Sequence, residues 1–157
     1  QFAQLSAEDV AALWKTIKQQ EKQGKAKSRL DEIKHAPALQ QAQQIQQHAA
    51  QLSFDFQTVE EAYVKLEEEL QELQQAIQQQ QSDEILDEFG DCLFSLINVG
   101  RKLGLSSEMA LLSTIHKFRT RFAYIEDQAE LQQKQIEEMS LEEMYRFWEQ
   151  AKQQLKK

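Results

Sequence analysis

Little in this chain can break a helix or build a strand. Its 157 residues include four glycines and one proline, so few positions favour a turn, and β-branched runs suited to a pleated sheet are scarce. Gln, Glu, Leu and Ala fill the space instead, and the expected class is all-α, a helical bundle. The single cysteine, Cys92, has no internal partner for a disulfide. Set in an apolar stretch, it points to a reducing, cytoplasmic compartment. No apolar run is long enough to span a bilayer, and no signal peptide is recognisable, so no membrane partner is expected. Positive charge is also in short supply: 18 Lys and Arg against 26 Asp and Glu leave a net charge of -8. That excludes the extended basic face a nucleic-acid backbone requires. A small anion suits such a chain only if metal ions intervene. The length is that of a single domain over residues 1–157, large enough to bury a core. Because the chain opens on Gln1 rather than Met, a fragment of a longer two-domain protein, with a domain upstream, stays open.

Helical periodicity runs through nearly all of it. Ser6 with Glu8 and Asp9 marks a start, and Val10, Leu13, Trp14 and Ile17 follow at helical spacing. The charged stretch from Glu21 to Arg29, with Gly24 inside it, is expected to be an exposed loop. Pro37 restarts the chain, and Leu39, Ala42, Ile45, Ala49 and Leu52 line one side of a second helix whose other side is an uncharged run of Gln. Thr58 with Glu61 predicts a capped third helix, with Val59, Tyr63, Leu66, Leu70, Leu73 and Ile77 as its packing seam. Ser82-Asp83 caps a fourth, whose broad apolar surface makes it the most buried, and Gly104 ends it. Ser106 opens a long fifth helix, and Ser140 with Glu143 opens a last one holding Tyr145, Phe147 and Trp148.

Two acidic motifs stand on the third and fourth helices: Glu68-Glu69-Leu70-Gln71-Glu72, then Glu88-Phe89-Gly90-Asp91. Residues three apart share a helix face, so Glu69 projects with Glu72 and Glu88 with Asp91. With a turn centred near Gln81 and Ser82, Glu72 and Asp91 lie level on opposite arms, about 14 Å from it at the helical rise. Glu69 and Glu72 flank the apolar seam, which puts them at the edge of the helix interface, and Gly90 leaves room for a ligand or a helix. Four carboxylates this close repel one another unless a cation or a proton intervenes. Mg²⁺ suits them, since it takes oxygen ligands and completes its shell with water and phosphates. His35, His48 and His116 are scattered, so nothing suggests zinc. An EExxE motif alone is common as a solvated face. An ExxGD inside an otherwise apolar helix is less expected, because an Asp beside Cys92 and Leu93 must be satisfied. On the fifth helix Lys117 and Arg121, four apart, form a basic pair suited to phosphate oxygens or to an ordinary surface ion pair with Glu126 or Asp127. Lys65, one turn before Glu69, is open to the same two readings.

The stretches EEELQEL, DEFGDCLFSLINVGRKLG and HKFRTRFAYIE resemble the MazG family of nucleoside triphosphate pyrophosphohydrolases, and within it the C-terminal domain of the two-domain bacterial form. The likeness continues through WKTIKQQEKQGK, LDEI, PAL and FDF and forward to the helix of Trp148. It implies hydrolysis of a nucleoside triphosphate to the monophosphate and pyrophosphate by an all-α domain that forms a homodimer. Carried over by motif, Glu69, Glu72, Glu88 and Asp91 match the ligands of Mg²⁺, for which Mn²⁺ can substitute. Lys117 and Arg121 match the basic pair facing the triphosphate, and Lys65 and Glu68 fall in the nucleotide-contacting segment. Glu68 or Glu69 is the candidate to take the proton of the attacking water. Trp148 matches an aromatic that contacts the nucleotide, with plain packing of the last helix as the alternative. Departures fall at Gln41, Gln44, Gln47 and His48, where Lys or Arg is common, and at Phe56, Ile115 and Thr120. They bear on the base and on phosphate affinity and leave the carboxylates untouched. A dUTP or dCTP pyrophosphatase, a phosphoribosyl-ATP pyrophosphatase, or a non-catalytic helical regulatory module are the alternative readings.

Overall fold

The computed structural model describes residues 6–22, 28–154 and 156. Among these residues six α-helices and two short 3-10 turns account for all regular structure, and there is no strand. The chain divides into two units, residues 1–34 and residues 35–157.

The first unit carries α1 (Ala7–Lys22) and a 3-10 turn, Arg29–Glu32. Ser6 caps α1 reciprocally: its hydroxyl accepts from the Asp9 N–H at 3.1 Å while its own N–H donates to the Asp9 carboxylate at 2.8 Å. The loop expected from Glu21 to Arg29 is thus helical at both ends, because Gln, Glu and Lys propagate a helix until something stops it. Residues 23–27 between lie outside the described residues.

In the second unit α2 (Ala38–Gln51) follows Pro37, then come α3 (Val59–Gln79), α4 (Ser82–Lys102), α5 (Ser107–Leu131), a 3-10 turn at Ile136–Glu138, and α6 (Leu141–Gln154). The caps fall where the hydroxyl residues stand. Thr58 accepts from Glu61 N–H, Ser106 from Met109 N–H and Ser140 from Glu143 N–H, each at 3.2 Å. The α3–α4 turn closes one residue earlier than expected: Gln80 takes a left-handed conformation with φ 55, and Ser82 is already the first helical residue.

The antiparallel α3–α4 hairpin is the most extensive contact in the unit, and its seam keeps part of the expected one, with Leu66 buried and Val59 and Leu73 half-buried. Tyr63, Leu70 and Ile77 are about half exposed, at 52%, 49% and 50%. The buried line on α3 is Ala62, Leu66, Glu69 and Ala76, and on α4 it is Cys92, Ser95, Ile97 and Val99. Small side chains at Ala62 and Ala76 let two helix axes approach where a row of larger residues would hold them apart. Glu69 therefore stands within the helix interface, not at its edge. Nor is α4 covered all round: Leu86, Phe89, Leu93 and Leu96 are exposed, because a hairpin buries only one side of each arm.

Two of the glutamines on the polar side of α2 turn inward and tie the bundle together. Gln46, buried, donates to the Phe94 carbonyl at 2.9 Å. Gln43 accepts from Ser107 N–H at 2.9 Å and donates to the Leu105 carbonyl at 3.1 Å, gripping the α4–α5 turn. Near the far end of the hairpin Asp55 receives both arms of the Arg101 guanidinium, and Lys102 donates to the Phe56 carbonyl at 2.7 Å. A separate core of Ile125, Ala129, Met139 and Phe147 joins α5 to α6. No helix among the described residues is long and apolar enough to cross a membrane.

Candidate metal centre

Because Glu69 lies on the buried line of α3, its side chain points at α4 and meets the acidic residues there. One carboxylate oxygen from each of Glu69, Glu88 and Asp91 lies within 4.8 Å of the others. Glu72, one turn on from Glu69, stands outside that group of three, and its negative charge bears on Glu88. Lys65 reaches in from the preceding turn, its Nζ 2.8 Å from Glu69 Oε1 and 3.4 Å from Glu68 Oε2. The hairpin thus groups Glu69, Glu88 and Asp91, with Lys65 linking Glu69 to Glu68 and with Glu72 outside the group.

The electrostatics are those of crowded like charges, with Glu69 buried, Glu88 half-buried and Asp91 exposed. Loss of hydration pushes the Glu88 carboxyl above its usual range, and the neighbouring charges of Glu72 and Glu69 push it the same way. Asp91 is raised by loss of hydration first, then by Asp87 and Glu69, with Lys65 pulling against them. Asp87, one turn before Asp91, is a contributor that the motif spacing did not single out, although its i,i+4 relation to Asp91 was there to be read. Burial also lifts the Cys92 thiol, and the surrounding carboxylates add to the effect.

Whether these residues suit a cation is tested by their unmet hydrogen-bonding capacity. Glu69 Oε2 and Glu88 Oε2 are buried and have no hydrogen-bond partner. A buried carboxylate oxygen without a donor is costly, and a hard divalent cation supplies what is missing. The donor set is all oxygen, with no histidine in it, which fits Mg²⁺ or Mn²⁺ and not zinc. Gly90 faces open space: a Cβ added there would meet nothing within 4 Å, so no helix of this chain needs its absence.

The other expected site residues sit elsewhere. The Arg121 guanidinium lies 5.5 Å over the ring of Trp148, which also packs against Phe118 at 5.1 Å between centroids. Neither Lys117 nor Arg121 forms an ion pair among the described residues, so the surface pairing with Glu126 or Asp127 is not formed. Among the described residues no ion pair joins Lys117 or Arg121 to the carboxylates of α3 and α4.

Residues 57–125, which span the whole hairpin and the start of this aromatic cluster, match the MazG nucleotide pyrophosphohydrolase domain. Residues 57–125 are a MazG-type domain. The chain is similar to the nucleoside triphosphate pyrophosphohydrolase/pyrophosphatase MazG of Thermotoga maritima, 41% identical over 88% of this chain and 54% of that protein. It is similar also to the nucleoside triphosphate pyrophosphohydrolase of Escherichia coli K12, 37% identical over 98% of this chain and 61% of the relative. The chain spans between half and two thirds of the length of these curated relatives.

Proposed function

We propose that this chain hydrolyses nucleoside triphosphates to the monophosphate and pyrophosphate, with Mg²⁺ as the cofactor and Mn²⁺ as a substitute, in the cytoplasm and as a homodimer. The observation that carries the proposal is the pair of buried, unpartnered carboxylate oxygens on Glu69 and Glu88, set beside Asp91 and Glu72. The names of the relatives in Thermotoga maritima and Escherichia coli support the same reading.

Glu69, Glu72, Glu88 and Asp91 would hold the metal, which when bound neutralises phosphate charge and makes a water more acidic. Glu69 is fixed by its place in the helix interface and gives the site its rigidity. Glu68, on the exposed side of α3, is the better placed of the two candidate bases, since Glu69 is buried and assigned to the metal, while Glu68 faces Lys65 through Oε2 alone, at 3.4 Å. It accepts the proton of the water that attacks phosphorus. Lys117 and Arg121 take phosphate oxygens beyond the reach of the carboxylates. Trp148, already engaged by Phe118 and Arg121, holds Arg121 in place and offers only its remaining edge to a nucleotide.

With Mg²⁺ and a panel of the common ribo- and deoxyribonucleoside triphosphates, the protein is expected to release pyrophosphate and not orthophosphate. Turnover of none of them would sink the enzyme reading and leave the non-catalytic module. A response confined to dUTP or dCTP would transfer the chain to the related pyrophosphatases. Glu72→Ala and Asp91→Ala are expected to abolish turnover with helicity unchanged by circular dichroism; an active variant would refute the assignment of that ligand.

A further inference from the structure

Around the carboxylates the acidic groups are many and the cations few. Among the described residues only Lys65 forms an ion pair with any of Glu68, Glu69, Glu72, Glu88 and Asp91. Its ammonium takes Glu69 Oε1 at 2.8 Å, the one oxygen of that buried residue that has a partner. Glu69 cannot turn away, because it is packed in the α3–α4 seam. Lys65 can, since 42% of its side chain is exposed and a flexible stem carries the charge. A second acceptor, Glu68 Oε2, is already 3.4 Å away on the solvent side.

We propose that Lys65 is a resident counter-ion that occupies Glu69 in the metal-free protein and must be displaced towards Glu68 before a divalent cation can use Glu69. The inference rests on the reading of the hairpin as a metal site. The displaced ammonium remains tethered one turn from the centre. Metal loading therefore exchanges one cation for another at Glu69 Oε1. The exchange weakens metal binding in the absence of nucleotide, since a unit charge a few ångströms away opposes the incoming cation.

Mn²⁺ binding to the full chain without nucleotide, followed by titration calorimetry or by the loss of the free-ion paramagnetic resonance signal, tests it. Lys65→Met is expected to bind Mn²⁺ about tenfold more tightly than the wild type. Lys65→Arg, which keeps the charge, is expected to stay near the wild-type value. Thermal unfolding gives an independent readout: Lys65→Met should melt below the wild type without metal and level with it at saturating Mn²⁺. Equal or weaker Mn²⁺ binding by Lys65→Met would overturn the counter-ion role while leaving the metal site standing. A melting difference that persists unchanged in Mn²⁺ would do the same, marking Lys65 as a surface ion pair. Absence of Mn²⁺ binding by the folded wild type would instead overturn the metal reading itself, and the counter-ion with it.

Discussion

Asp55 is held by two cations at once. Arg101 engages both of its oxygens, and Lys102 lies 3.2 Å from Oδ2. The hydrogen bonds from Arg101 keep its carboxyl below the usual aspartate range. A depressed folded-state value means that the stability Asp55 contributes is complete above the unfolded value near ~3.9 and is lost as pH falls through the lower folded one. Asp55→Asn should therefore cost about 1–3 kcal/mol at neutral pH, the scale of a charge-assisted hydrogen bond. The gap to the wild type should close in acid. Urea unfolding of both proteins in neutral and in strongly acid buffer checks this, and a gap that did not shrink would assign the loss to packing. Gln46 poses the opposite case. One arm of its amide bonds the Phe94 carbonyl, while Oε1 is buried without a partner. Gln46→Met removes the bond and the orphan together, so stability should stay within about 1 kcal/mol of the wild type. A loss well above that in the melting curve would mean that Oε1 is satisfied, by a water or a ligand.

At the scale of the elements, helix starts were legible because hydroxyl residues announce them. Thr58, Ser106 and Ser140 each accept from the backbone three residues on. The face that α3 turns to α4 was not. Two sets of positions compete beside Leu66, which the expected seam already contained: Tyr63, Leu70 and Ile77, or Ala62 and Ala76. Counting large apolar residues favours the first, yet close approach of two helices favours the second. The error had a consequence for the site, because the line through the alanines also contains Glu69, which a count of apolar residues skips. The juxtaposition of the carboxylates was nonetheless readable, since it depends on turn position and helical rise and hardly on which line is buried. The engagement of Lys65 with Glu69 was open only as one of two readings, because choosing between them needs side-chain positions. The inward turn of Gln43 and Gln46 carried no signal in a run of identical residues. The buried seam makes a sharp prediction: Ala62 is wholly inaccessible, and Ala62→Leu should overpack the hairpin and cost about 1–3 kcal/mol. Ala62→Gly, which leaves the approach free, should lose about 1 kcal/mol through helix propensity. Denaturant titration of the pair would show whether closeness of approach is what places Glu69; a tolerated leucine would say that it is not.

For the whole molecule the balance of covered and uncovered apolar surface is the governing fact. Among the described residues the buried clusters are small, Ala62, Leu66 and Val99 in one and Ile125, Ala129, Met139 and Phe147 in the other. Meanwhile large side chains remain exposed on three consecutive helices, among them Tyr63 and Leu70 on α3, Phe89 and Leu96 on α4, and Leu111 and Ile115 on α5. Faces of this kind on the helices that carry the carboxylates call for a partner. A second copy of the same chain is the simplest one, since a two-fold axis lets one apolar face cover its own equivalent. The acidic hairpin and Lys117 and Arg121, which form no ion pair among the described residues, also give two copies opposite charges to set against each other. Sedimentation equilibrium should then return twice the chain mass of 18.3 kDa, and the melting temperature should rise with protein concentration, as mass action requires of a dimer that unfolds to monomers. Leu96→Asp places a charge in the middle of the α4 face and should shift the equilibrium to monomer and remove the concentration dependence. Because Leu96 lies beyond the acidic group on α4, Mn²⁺ binding should survive in the monomer if the metal site is complete within one chain. A wild type that sedimented as a monomer at every concentration would refute the dimer, and it would leave α3, α4 and α5 needing cover from another chain.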